Sequence, residues 1–176
     1  MITVKLGEEI KEPIAIALGT FDGLHMGHMA VINHALSSGY KSAVISFFPK
    51  SPREILTGEA QKTILSDEKK REKLQKMGIN YQILIDFAEI KSHSPEEFID
   101  ELLSYYDIKL FCCGYDFRFG KGGEGDAGTL RNICEKRGID SFAAHEVKVN
   151  GETCSSSKIR EYIASGDVTK AEKMLG

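Results

Sequence analysis

No apolar run in this 176-residue chain approaches the length of about 18 that a membrane-spanning helix needs. No charged segment followed by an apolar one opens it, so neither a membrane partner nor a secretory leader is expected. Charge of one sign is not in excess either: 23 Lys and Arg against 26 Asp and Glu leave a net charge of −3. A dedicated nucleic-acid binder shows a basic excess or stripe, so no nucleic-acid partner is expected. One stretch is locally basic, with Lys69, Lys70, Arg71, Lys73 and Lys76. Asp67, Glu68 and Glu72 interleave it, which reads as a solvated helix face. Cysteine is sparse. Cys112 and Cys113 are adjacent in an apolar run, and Cys134 and Cys154 stand apart, which suits buried thiols and excludes a disulfide framework. No His, Cys and carboxylate cluster has zinc spacing. Reduced thiols without a leader point to the cytoplasm. There is no internal repeat and no low-complexity segment.

What is present is ordinary for a soluble domain: 41% hydrophobic and 28% charged residues. The length suits one domain, residues 1–176, with a proper core. Short apolar runs alternate with helical patterns. Strands are expected at Ile14–Leu18, Ser42–Phe48, Tyr81–Ile85, Ile108–Cys113 and Ser141–Ala144. Helices are expected at His28–Ser37, Asp67–Lys76, Pro95–Tyr105, Ala127–Lys136, Ser157–Ala164 and Val168–Met174. Ser94, Pro95 and Glu97 form a capping-box start. Such alternation implies an α/β fold: a mostly parallel sheet with helices on both faces. Ligands then gather at the strand C-termini, near the switch point. Residues 49–66 break the pattern, with Pro49, Pro52, Gly58 and mostly polar side chains. They read as a lid or binding loop, with a passive surface loop as the equal alternative.

Residues 14–28, IAIALGTFDGLHMGH, are the most informative stretch. An aliphatic strand enters a turn with Gly19 and Gly23, then His25, Gly27 and His28, then a helical pattern. A strand leading through a tight loop into a helix N-terminus is a phosphate site. Two imidazoles add N–H donors whether charged or neutral. The bland readings are surface histidines, Phe21 as a core plug under the loop, and Asp22 as a turn cap.

Two further constellations stand downstream. In Phe111–Asp126 an apolar strand ends at Gly114, and Asp116, Phe117, Arg118, Phe119 and a glycine-rich loop follow. Aromatics beside an arginine suit a flat π ligand carrying a phosphate. The alternative is that Phe117 and Phe119 alternate into the core. In Cys154–Arg160 three hydroxyls precede a helix that carries Arg160 one turn in. They can cap the helix, or hold an anion together with its free amides.

HxGH after a first strand resembles the signature of the nucleotidylyltransferase superfamily. The longer GTFDGLHMGH and the YDFRFG loop resemble the FAD synthetase family, whose N-terminal module is an FMN adenylyltransferase. The segment Cys154–Arg160 resembles that superfamily's ISSTxIR motif. The likeness runs from Ile14 to about Gly176. It implies a Rossmann-like fold of nucleotidylyltransferase type, ATP and FMN as substrates, and Mg²⁺ on the phosphates. It implies an ATP site of Gly19, Phe21, Asp22, Gly23, His25, Gly27, His28, Asp116, Ser156, Ser157 and Arg160, with His25, His28 and Arg160 catalytic. FMN is expected on Phe48, Pro49, Arg53, Phe117 and Arg118. The metal ligands are not implied. Three departures stand out. Phe48–Pro52 does not carry the family's E/D-P-H-P-type pattern, Thr153 falls where a basic residue is common, and Lys158 replaces a common arginine. No riboflavin kinase domain is expected within these residues. Transfer to another phosphorylated acceptor, or a non-catalytic nucleotide- or flavin-binding module, are the alternatives.

Overall fold

The computed structural model describes residues 1–60 and 62–176. The order is β1 (Ile2–Lys5), β2 (Ile14–Ala17), α1 (Met26–Leu36), β3 (Lys41–Phe47), α2 (Pro52–Thr57) and α3 (Asp67–Lys76). Next come β4 (Tyr81–Ile85), α4 (Phe87–Ile90), α5 (Pro95–Tyr105), β5 (Ile108–Gly114), α6 (Ala127–Arg137) and β6 (Asp140–Ala144). The chain closes with the hairpin β7 (Lys148–Val149) and β8 (Glu152–Thr153), then α7 (Ser156–Ser165) and α8 (Val168–Leu175).

The six long strands form one parallel sheet in the order β1-β4-β3-β2-β5-β6. The chain works outward from β2 to one edge, then returns to build on the other side of β2. The switch point therefore lies between β2 and β5, and their C-terminal ends open the crevice where such folds bind ligands. The sequence of β2, Ile-Ala-Ile-Ala, shows how the layers are set. All four residues are fully buried, and alternation sends Ile14 and Ile16 to one face and Ala15 and Ala17 to the other. The isoleucines join Phe98, Ile99 and Leu102 of α5 and Leu130 and Ile133 of α6. The small alanines admit α1, through Val31, Ile32 and Ala35, with Leu74 of α3. A third cluster, Cys154, Ile159, Tyr162, Ala171 and Met174, packs α7 on α8.

The expected strands and helices form with ends shifted by at most two residues. Ser94 and Glu97 make the capping box, with hydrogen bonds of 3.2 and 2.7 Å. Helix α1 begins two residues earlier than expected, because His25 rather than a later residue caps it. The four cysteines are buried and free. Burial pushes the Cys112 and Cys113 thiols up to about 12. The segment 49–66, expected without regular structure, contains α2. Residue 61 of that segment lies outside the described residues. Ser51 caps α2, accepting from the Glu54 N–H at 3.2 Å, Pro52 opens its first turn and Gly58 ends it at φ 74°. That Ser-Pro start and Gly stop were a readable signal.

Candidate active site

Between β2 and α1 the backbone makes a tight loop in which Phe21 and Leu24 adopt φ of 51° and 49°, and Gly23 adopts 85°. Left-handed conformations at two bulky residues cost about 1–3 kcal/mol each and persist only where the surroundings over-determine them. Phe21 is 1% exposed and packs beneath the loop with its ring edge on His28, at 5.3 Å between centroids. It is both a core plug and a wall of the site. Gly19 allows this, since a Cβ there would stand 3.1 Å from the Phe21 ring.

His25 is the N-cap of α1: its Nδ1 accepts the His28 backbone N–H at 3.4 Å. Nδ1 is thus unprotonated, and the neutral ring carries its proton on Nε2. The two imidazoles stack, with centroids 3.7 Å apart and planes 19° off parallel. A Cβ at Gly27 would lie 3.1 Å from the His25 ring and 3.3 Å from the Cys154 carbonyl. The glycine inside HxGH is therefore a packing requirement that lets the approach to α7 close over α1. Burial lowers His25 to about 4, against the pull of Asp116 and Asp22, and lowers His28 to about 3, aided by the neighbouring His25 and Lys70. Both rings are neutral hydrogen-bond donors near pH 7.

This has a measurable consequence for stability. The unfolded histidines take up protons below about pH 6.5 and the folded ones do not. The stability they contribute is complete above that pH and is lost as pH falls toward their folded values. At pH 5 the loss is roughly 2 kcal/mol for each histidine. Thermal unfolding of the protein should shift down by several degrees between about pH 7.5 and 5, and the shift should shrink in His28→Gln. An unchanged slope in that variant would mean His28 titrates normally in the fold.

A cavity of about 610 Å³ opens at the switch point, within the usual range for a ligand site. Its lining includes a polar set, His25, His28, Ser155, Ser156, Ser157 and Asp116, with Gly19, Phe21 and Gly27. It also includes an aromatic set, Phe47, Phe87, Phe98, Phe117 and Phe119, with Pro52 and Leu56 of α2. Phe117 and Phe119 stack at 5.4 Å, and Phe119 is core as well as wall, only 7% exposed. Arg118 and Lys91 are cations on the wall of this cavity.

The structure thus brings most of the expected ATP residues and two of the expected FMN residues into one cavity. Phe48, Pro49 and Arg53 do not line it. The two-residue period of β3 is the reason: it turns Ile45 and Phe47 inward and leaves Phe48 56% exposed. On α2, Pro52 and Leu56 face the cavity and Arg53 is exposed. Asp22, Gly23 and Arg160 also stand outside the lining. Asp22 and Arg160 form an ion pair. Ser155 caps α7, accepting from Lys158 N–H at 3.2 Å, and the Ser156 hydroxyl donates to the Asp22 carbonyl at 2.8 Å. Among the described residues no group of three His, Cys, Asp or Glu could hold a metal ion.

The model of the FAD synthetase family matches residues 7–158. The chain belongs to that family.

An FAD synthetase of Listeria monocytogenes is 30% identical over 166 residues, which cover 92% of this chain and 68% of that protein. A bifunctional riboflavin kinase/FMN adenylyltransferase of Escherichia coli is 28% identical over 177 residues, covering 97% of this chain and 56% of that one. The chain thus spans about half the length of its bifunctional relatives. Among solved structures, one titled a macrolide-efflux protein from Streptococcus pneumoniae superposes with a TM-score of 0.84 at 24% identity, over 100% of this chain and 60% of that one. A pantoate-beta-alanine ligase from Francisella tularensis superposes at 0.62 and 14% identity, over 99% and 78%. At those identities the likeness is one of fold. It places this FAD synthetase family member among α/β folds with a Rossmann-like parallel sheet.

Proposed function

We propose that the protein transfers AMP from ATP to the phosphate of FMN, giving FAD and pyrophosphate. The observation that carries this reading is one cavity whose lining joins two histidines and three serines with a set of phenylalanines. Neutral N–H and O–H donors at a helix N-terminus suit a polyphosphate. A stacked aromatic compartment suits a broad planar ring. The family relation fits both.

The FMN phosphate is already an anion, so its oxygen attacks the α-phosphorus of ATP without a base. The bond to the β,γ-phosphates breaks, and charge builds on the departing pyrophosphate. Little covalent chemistry is left to the protein, so positioning and charge stabilisation supply the rate. His25 and His28 donate to the triphosphate from rings that packing has already oriented. Ser156, Ser157 and the first amides of α7 hold the leaving phosphates, and Asp116 orients the nucleotide. Phe117 and Arg118, joined by Phe47 and Phe87, hold the flavin. Magnesium enters as part of the ATP substrate, where it neutralises phosphate charge.

The test is incubation with ATP, Mg²⁺ and a panel of phosphorylated acceptors, following pyrophosphate and FAD. FMN-dependent release of both is expected. Release with another acceptor alone would move the assignment within the superfamily. Binding of nucleotide and flavin without release would leave a non-catalytic module.

A further inference from the structure

Helix α3 turns a single charged residue inward. Lys70 and Leu74 stand one turn apart on its inner face, the lysine side chain 12% exposed and the leucine fully buried, while the other charged residues of the helix are exposed. Leu74 packs in the cluster that holds Phe21 and Leu24 of the β2–α1 loop and Val31 and Ile32 of α1. Before the helix, Ile64 lies against Gly23 of the same loop, where a Cβ would meet it at 3.0 Å, and its N–H donates to Asp22 Oδ1 at 3.0 Å. Lys70 lies between these two anchors, on the helix face turned to the loop and to the first turn of α1, where His28 stands.

An apolar residue at this position would continue the Leu74 stripe at no electrostatic cost. The chain places an ammonium there and compensates it weakly. Among the described residues its one carboxylate neighbour is Asp67, 3.4 Å away, with a side chain 80% exposed. A solvated carboxylate at that distance offsets little of the cost of drawing a charge out of water. The field of Lys70 reaches the site: after burial and His25, it is the next cause that holds His28 down. His25, His28 and the serines that line the cavity beside it are neutral donors. A cation behind them, shielded from water, attracts an anion more strongly than an exposed one. We propose that Lys70 is a cation of the polyphosphate subsite, set behind His28 and acting through space on the triphosphate of ATP and on the pyrophosphate that leaves. This rests on the AMP-transfer reading above.

Nucleotides of increasing phosphate number read this charge without turnover. Lys70→Met keeps the packing of the aliphatic stem and removes the ammonium. Its affinity for a non-hydrolysable ATP analogue should fall by about tenfold and for AMP by less than about twofold, with ADP between, because the attraction grows with phosphate charge. Lys70→Arg keeps the charge and should recover most of the analogue affinity. Lys69→Met removes an exposed lysine of the same helix and should leave all three affinities unchanged, since water and salt screen a charge there. The melting temperature of Lys70→Met should hold or rise, since an apolar chain replaces a charge withdrawn from water. An unchanged ratio of analogue to AMP affinity in Lys70→Met overturns the proposal. So does a fall in both affinities together with the melting temperature, the mark of a structural lysine. Binding is read without FMN, so a wild-type protein that forms no FAD would defeat the AMP-transfer reading and leave this comparison standing.

Discussion

His28→Ala is expected to lower kcat by about 10²–10³ while ATP affinity falls by less than about tenfold. The ring is held before any ligand arrives: stacked on His25 at 3.7 Å, edge-on to Phe21, and placed in the first turn of α1 by the His25 cap. A donor fixed in this way costs no reorganisation when charge moves to the leaving pyrophosphate, so its contribution is larger in the transition state than in the ground state. The size follows from comparable single-donor losses, about 2.7–4 kcal/mol. Neutrality matters to the sign. With His28 lowered to about 3, alanine removes a dipole and not a cation, so ground-state attraction for ATP is little changed. Steady-state kinetics beside equilibrium binding of an ATP analogue check this. A kcat within about threefold of wild type would make His28 a packing residue.

The sequence showed best what is encoded locally. The run Ile14–Ala17 into a glycine turn and a capped helix is one continuous signal, and Ser94 to Glu97 is another. The missing elements are short. Strand β1 has four residues at a sheet edge, α4 a single turn, and each strand of the β7–β8 hairpin two residues, all below the length at which period decides. Phe47 lines the cavity and the expected Phe48 does not, a difference of phase by one residue, which in a strand exchanges the two faces. The basic run 69–76 was read as solvated, and Lys70 is the exception, its side chain only 12% exposed. The Asp22–Arg160 pair spans 138 residues. No local pattern encodes a contact of that separation, and only the return of α7 over the β2 loop creates it.

The flavin side should be as sensitive to one methyl group as the phosphate side is to a histidine. Gly120 sits at φ 75° and ψ 178°, a conformation essentially closed to other residues. A Cβ there would lie 2.8 Å from the nitrogen, Cγ and Cδ of Pro95. Pro95 cannot yield cheaply, because it opens α5 within the Ser94–Glu97 capping box. The loop is pinned on both sides of the glycine, by Lys121 N–H donating to the His93 carbonyl at 2.7 Å and by the paired hydrogen bonds of Phe119 with Gly125. Gly120→Ala must therefore displace Phe119, and with it the stack on Phe117 in the cavity wall. The melting temperature should fall by about 5–10 °C. KM for FMN should rise by more than about tenfold, with ATP affinity held within about threefold. Gly122→Ala is the control: its φ is also positive, at 64°, but a Cβ there would meet nothing within 4 Å. That variant should pay only the left-handed backbone, on the order of 1–2 kcal/mol, and keep its affinity for FMN. Equal losses in the two variants would show that backbone conformation alone matters and that the contact with Pro95 does not shape the flavin compartment.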